Sequence, residues 1–276
     1  VPVARINGTT LGYDVYGTGE PVVLVTGTAA PGRVWRSHQV PALRAAGYQT
    51  ITLDNRGIGP SGPCEEGTTL ADLAADVAGL IDHLGAGPCR LVGFSLGAII
   101  VQELLLARPE LAAQAVLMAT CGRADALISA MAAADVELCD SDVKLPPRYA
   151  AYVQAIQNLS PRTLNDEQRL QGWLDIFEMS PVTPAGVRHQ LGLQAIADRL
   201  AAYRRVRCPC LVIAFRDDLI ARPHLGREVA DSIPGGSYTE IAGCGHYGYL
   251  ERPDEVNSAI IDFFARPRRS PARRMP

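Results

Sequence analysis

Arg90-Leu91-Val92-Gly93-Phe94-Ser95-Leu96-Gly97-Ala98 carries an apolar run, Leu91 to Phe94, into a serine bracketed by glycines. A helical pattern begins at Leu96, and helix-favouring residues continue from Ala98 to Arg108. The stretch is Gly-x-Ser-x-Gly at a strand-to-helix turn. Such a turn forces its serine into a strained backbone conformation, and larger residues two positions either side would clash. Gly93 and Gly97 remove those clashes. The serine then stands at the end of a sheet beside a helix N-terminus, whose free N–H groups suit a developing oxyanion. The pentapeptide alone is also compatible with a glycine-rich turn carrying a surface serine. The strand before it and the helix after it favour the first reading.

Outward from this point the pattern repeats. Val3 to Tyr16, with an Asn7-Gly8 turn, reads as a β-hairpin. Pro21 to Thr26 is an apolar strand ending at Gly27. Val34 to Ala46 fits a helix stopped by Gly47, and Tyr48 to Leu53 is the next strand. Leu70, Leu73, Val77, Leu80, Ile81 and Leu84 recur at helical spacing behind Thr68 or Thr69 as cap. Ala115 to Ala119 is a further strand. Strands that are apolar throughout and alternate with helices indicate a parallel sheet buried on both faces.

From about Gly122 to Arg207 the strand signal stops. Ala124–Ala134, Arg148–Leu159, Asp166–Met179 and Pro184–Tyr203 read as helices, with proline breaks at Pro146-Pro147, Pro161 and Pro181. Strands resume at Cys210 to Phe215 and Tyr238 to Ile241, with helices at Leu225–Ile233 and Glu255–Phe264. The expectation is an α/β core over residues 1–122 and 207–265, a helical cap over 123–206, and a disordered Arg-rich tail over 266–276.

The chain has 276 residues, 47% hydrophobic and 20% charged, with a net charge of −3. That balance gives no pull toward nucleic acid or an acidic membrane. Neither a signal-peptide pattern nor an apolar run of transmembrane length is visible, so a cytoplasmic, reduced protein is expected. The seven cysteines match no disulfide framework or zinc spacing, and the five histidines match no metal-ligand spacing. Cys208-Pro-Cys210 reads as a pair of core thiols, with a redox pair as the alternative. No cofactor or metal is expected. Of 26 basic residues only Lys144 is a lysine, which fits a GC-rich bacterial genome and a secondary-metabolism setting.

A serine hydroxyl needs a base to take its proton, and the base needs a partner to orient it. Two strand-following loops offer them: Arg216-Asp217-Asp218 and Gly243-Cys244-Gly245-His246. The ends of parallel strands gather at one edge, so Ser95, an aspartate and His246 can meet there. Spacing does not separate Asp217 from Asp218. Read singly, His246 is also a plain loop histidine and Asp218 a turn residue near Arg222.

The order Ser…Asp…His with G-x-S-x-G at the serine resembles the α/β-hydrolase fold family over roughly Gly12 to Phe264. Asp54-Asn55-Arg56-Gly57-Ile58-Gly59-Pro60-Ser61 resembles the family's D-x-R-G-x-G-x-S loop. Asp217-Asp218-Leu219-Ile220 resembles its acid loop, and Gly245-His246 followed by Glu251-Arg252-Pro253 its histidine loop. The branch it looks most like is the capped esterase, perhydrolase-like and C–C hydrolase group. By that resemblance Ser95 is the nucleophile, His246 the base and then acid, and Asp218 the orienting acid, with Asp217 as runner-up. The oxyanion hole would use the backbone N–H groups of Thr28 and Leu96. The family's usual His-Gly is Thr26-Gly27 here, so the histidine that braces the oxyanion loop is missing. Arg56 and Asp54 are expected to tie their loop down by charge-assisted bonding.

Trp173, Leu174, Ile176, Phe177 and Met179 in the cap either line a substrate cavity or form the cap's own core, and one of Tyr247 and Tyr249 is expected to face the pocket. The implied partner is a hydrophobic small molecule carrying an ester, thioester or lactone, met by a monomer or homodimer. The same site on related folds cleaves C–C bonds, makes peracids or runs non-hydrolytic steps. A ligand-binding receptor on this fold is the alternative of another class.

Overall fold

The computed structural model of the chain describes residues 1–179 and 184–266. Strands β1 (Val3–Ile6) and β2 (Thr9–Tyr16) form a hairpin whose Asn7 and Gly8 both have positive φ, 50° and 78°. A two-residue turn of that handedness matches the twist of its strands. Then come β3 (Glu20–Val25), a 3₁₀ turn (Gly32–Ser37), α1 (Gln39–Ala45), β4 (Tyr48–Leu53), α2 (Leu70–His83), β5 (Cys89–Phe94), α3 (Leu96–Ala107) and β6 (Ala112–Met118). The chain next leaves the sheet for α4 (Ala126–Asp140), α5 (Pro147–Asn158), α6 (Pro161–Leu164), α7 (Glu167–Met179), α8 (Pro184–Gly192) and α9 (Leu200–Tyr203). It returns through β7 (Cys210–Phe215), α10 (Pro223–Ser232), β8 (Ser237–Ile241), α11 (Gly248–Glu251) and α12 (Pro253–Phe264).

Among the described residues the strands make one eight-stranded sheet, ordered β1-β2-β4-β3-β5-β6-β7-β8. β1 and β2 run antiparallel, and β3 through β8 are parallel. Successive side chains of a strand point to opposite faces, and both faces here are buried. Val23, Val25, Leu91, Leu117 and Val212 pack under α2, α3 and α10. Val22, Leu24, Val92, Met118 and Ile213 pack under α1 and α12. This explains why the strands read as apolar runs rather than alternating ones. Strand order reverses between β3 and β5, which opens a crevice beyond their C-terminal ends, where open α/β sheets bind ligands.

Several boundaries differ from the sequence expectation. The helix expected from Val34 to Ala46 is split into the 3₁₀ turn and α1. Pro41 lies in the first turn of α1, and its ring would clash with the carbonyl four residues earlier if the helix ran further back. The helix expected over Pro184–Tyr203 ends at Gly192. Residues 193–199 instead run beside the segment after β6, with Ile196 O accepting from Ala124 N at 3.0 Å and Arg199 N donating to Gly122 O at 2.8 Å. Thr69, not Thr68, caps α2, and its hydroxyl and Asp72 form a reciprocal capping box. The Pro181 break and the tail from residue 267 lie outside the described residues. The seven cysteines are free, and the Sγ atoms of Cys208 and Cys210 stand 4.0 Å apart in the core. No described helix is long and apolar enough to cross a membrane.

A close backbone approach at Gly97 positions the serine turn. A Cβ there would lie 2.2 Å from Val25 O and 2.5 Å from Thr26 O, atoms held rigidly by the sheet. Gly97→Ala is therefore expected to destabilise the fold by about 3 kcal/mol, the upper range for overpacking. Thermal unfolding checks this, with a fall in Tm of roughly 6–12 °C expected for a chain of this size.

Candidate active site

Ser95 occupies the junction of β5 and α3 with φ 52° and ψ −121°. Positive φ is costly for a residue with a Cβ. The conformation is held because Ser95 N donates to Met118 O at 3.0 Å, while Ser95 O accepts from Ala98 N at 2.9 Å and Ile99 N at 3.2 Å. A Cβ on Gly93 would meet Ala98 Cα and Gly97 O at 2.5 Å, so neither flanking glycine can be replaced without shifting backbone. The side chain is thereby raised clear of the sheet edge.

The other two groups arrive from loops at the same edge. His246 Nε2 lies 3.1 Å from Ser95 Oγ, and His246 Nδ1 lies 2.8 Å from Asp218 Oδ2. A carboxylate only accepts, so Nδ1 carries the proton and the Nε2 lone pair faces the hydroxyl. Asp218 is 2% exposed, and its Oδ1 accepts from Ile220 N at 2.8 Å and Ala221 N at 2.9 Å. Those amides fix the carboxylate's rotation. Asp217 is half-buried, with its N–H on Cys244 O at 3.1 Å. The geometry thus joins Asp218, rather than its neighbour, to the imidazole. The ring of Phe94 packs against that of His246, with centroids 5.0 Å apart and planes tilted by 46°.

The loop after β3 lies directly against the serine: a Cβ on Gly27 would be 3.1 Å from Ser95 Cβ. Beyond it the N–H of Thr28 and the N–H of Leu96, the first residue of α3, meet no acceptor among the described residues. The Thr28 hydroxyl is buried and likewise unpartnered among them. In place of a histidine, Thr26 Oγ1 donates to Ala30 O at 2.9 Å, and Asn55 Nδ2 donates to Thr26 O at 3.2 Å. Asp54 and Arg56 act separately. Asp54 Oδ1 accepts from Gly32 N at 2.6 Å, and Arg56 makes a two-pronged ion pair with Asp76 on α2. Burial pushes the Asp54 carboxyl above its ordinary value.

Beside Ser95 is a cavity of about 20 Å³, room for a single water-sized group, walled by Ile99, Ala119, Cys121, Ile128, Ile220 and Ala221, with Gln194 its polar side chain. Burial pushes the Cys121 thiol up to about 11, so it stays neutral and adds an apolar wall. The aromatic residues singled out in the sequence do not line this cavity. Phe177 is buried in a separate cluster with Ala151, Ala155 and Leu159, and Trp173 and Tyr247 pack against it. Flat rings gain more by stacking on one another than by bordering so small a space. Ile176 and Met179 are exposed. Trp173 also borders a larger cleft of about 480 Å³ along α6, α7 and residues 250–255, lined by neither Ser95 nor His246.

Glu251, read in the sequence only as part of the histidine-loop motif, and Gln190, which that reading did not include, hold the site. Glu251 accepts from Gly245 N at 2.6 Å and from Ser160 Oγ at 2.7 Å, tying the His246 loop to the segment after α5. Gln190 on α8 accepts from Ala29 N at 2.9 Å and donates to Arg56 O at 2.5 Å. Among the described residues no cluster of three or more His, Cys, Asp or Glu side chains is placed to hold a metal ion.

Residues 22–259 match the alpha/beta hydrolase family. A Mycobacterium tuberculosis protein whose name provisionally assigns it as the non-heme bromoperoxidase BpoC is 49% identical over 257 residues, covering 92% of this chain and 97% of that protein. The solved structure of Rv0554 from Mycobacterium tuberculosis superposes with a TM-score of 0.90 at 48% identity, covering 93% of each chain. An (E)-2-((N-methylformamido)methylene)succinate hydrolase of Acinetobacter baylyi is 26% identical over 259 residues, covering 92% of this chain and 94% of that protein. On the match across the sheet, the serine turn and both loops, the chain belongs to the alpha/beta hydrolase family.

Proposed function

We propose that the chain is a serine-nucleophile hydrolase acting on a small ester, thioester or lactone with an apolar acyl portion. The observation that carries this reading is the unbroken run of contacts from Ser95 Oγ through the His246 imidazole to the Asp218 carboxylate. As Ser95 Oγ attacks the carbonyl carbon, its proton passes to Nε2, and Asp218 stabilises the imidazolium. The oxyanion is taken by the N–H groups of Thr28 and Leu96 at the positive end of α3. His246 returns the proton to the leaving group. It then draws one from water, which releases the acid and restores the serine. The apolar lining beside Ser95 favours an uncharged acyl portion over a charged one. Helices α4–α9 act as the cap, because Ile128 of α4 and Gln194 after α8 supply part of the cavity wall.

The 49% identical relative named as a bromoperoxidase favours a second use of the same intermediate. Hydrogen peroxide in place of water would attack the acyl-enzyme, giving a peracid and free serine. The peracid, not the protein, would then oxidise bromide.

Turnover of p-nitrophenyl acetate is expected to fall by roughly 10⁴-fold or more in Ser95→Ala, the scale for loss of such a nucleophile. A fluorophosphonate probe should label wild type at Ser95 only; full activity in the alanine variant sinks the reading. Asp218→Asn is expected to lower kcat by about 10⁴-fold through the wrong imidazole tautomer, while Asp217→Asn stays close to wild type. Equal losses at both aspartates would remove Asp218 from its role. With acetate and peroxide, bromide oxidation that persists in Ser95→Ala would rule out the peracid route.

A further inference from the structure

Gln190 is the one side chain of α8 that both loops beside Ser95 engage among the described contacts. It is fully buried, yet each end of its amide is used. The oxygen accepts from Ala29 N, and the nitrogen donates to Arg56 O. These two loops follow neighbouring parallel strands, one after β3 and one after β4.

The Ala29 contact has a specific mechanical effect. Ala29 has φ 60°, a left-handed backbone that an alanine adopts only when its surroundings impose it. Its N–H belongs to the peptide that joins it to Thr28. A bond to that N–H fixes the peptide's plane, and with it the torsions on either side. The Thr28 N–H, proposed as an oxyanion donor, is one peptide upstream. The loop's other described restraints are made by Asn55 and by its own Thr26 and Ala30. Gln190 alone among them comes from the helices inserted between β6 and β7.

The cavity adds a second observation. Its walls include Ile128 and Gln194 from the same insert. Ile128 belongs to α4, which packs directly on α8.

We propose that Gln190 is a positioning residue: through Ala29 N and Arg56 O it sets the Thr28 donor when α8 is seated, so the oxyanion site is complete only with the insert in place. This rests on the Ser95 reading above, and on the Thr28 N–H being one of its donors. Gln190 adds to the bracing that Thr26 and Asn55 give the same loop.

The test compares wild type, Ser95→Ala, Gln190→Met and Gln190→Glu as full chains. Methionine keeps the length and fills the slot but makes neither bond; glutamate keeps the acceptor for Ala29 N. With p-nitrophenyl acetate, Gln190→Met is expected to lower kcat about 10–100-fold, less than outright loss of an oxyanion donor, with KM changed less than threefold. Inhibition by phenylboronic acid, which forms a tetrahedral adduct on serine, should weaken by the same factor. Gln190→Glu should recover only part of both, since it keeps the acceptor for Ala29 N and loses the donor to Arg56 O. Unchanged kcat and boronate affinity in Gln190→Met, with Ser95→Ala inactive, overturn the role of Gln190. An active Ser95→Ala overturns the underlying reading instead. Wild type offers a measurement that does not depend on variants folding. Coupling is reciprocal, so bound phenylboronate should slow amide hydrogen exchange both at Ala29 and along α8. Exchange along α8 that ignores the inhibitor also overturns the proposal.

Discussion

The seating of α3 on the end of β3 is the constraint from which the site follows. Gly97 lies so close to the carbonyls of Val25 and Thr26 that no side chain fits between them. With the helix pressed there, the chain has no room for a relaxed turn, and Ser95 takes the positive φ that lifts its side chain. The same contact brings the Gly27 loop against Ser95 Cβ. One steric event therefore sets the hydroxyl's height, its distance to the loop after β3 and the direction of the first free amides of α3. The hydrogen bonds from Met118 O, Ala98 and Ile99 lock a geometry that close packing has already chosen.

His246 and Asp218 reach this fixed point by a different logic. Each sits on a loop, and loops hold position only where their polar groups are satisfied. Asp218 is held by the amides of Ile220 and Ala221. The His246 loop is held by Glu251, whose carboxylate spans from Gly245 to Ser160. Both side chains are nearly sealed from solvent, His246 at 4% and Asp218 at 2% exposure. In such surroundings the attraction between carboxylate and imidazolium is far less screened than in water. The orientation of the ring is thus decided locally, by short backbone contacts, and its strength by burial.

This difference explains what the amino-acid order reveals and what it conceals. The glycines at 93 and 97, the Asn7-Gly8 turn, the Thr69 cap and the unbroken apolar strands act over a few residues, so their signals stand in the chain itself. Ser95, His246 and an aspartate from the loop after β7 were legible for the same reason. The choice of Asp218 over Asp217 rests on which carboxylate the turn at Ile220 and Ala221 captures, a matter of one peptide's rotation that spacing does not carry. The end of α8 at Gly192 and the course of residues 193–199 depend on pairing with Gly122 and Ala124, some seventy residues earlier. Likewise Phe177 and Trp173 read as apolar helix positions whichever way they face. Only the packing of α5 on α7 turns Phe177 inward to its own cluster and away from Ser95. Gln190 offers no local signal at all, since its partners are 161 and 134 residues distant.

The two roots of the insert share a further property. At its start Arg123 grips Glu228 of α10, and Asp125 pairs with Arg222 just before that helix. At its end Arg199 grips Glu103 of α3. The two arginine grips are forked, directional contacts to helices of the sheet layer, made by residues outside the apolar clusters of the insert. The segment between residues 123 and 199 is thus held at both ends by charged groups, while Ser160 and Gln190 bind its interior to the His246 loop and to the loops after β3 and β4. A segment exchange at these roots has to carry those two residues with it.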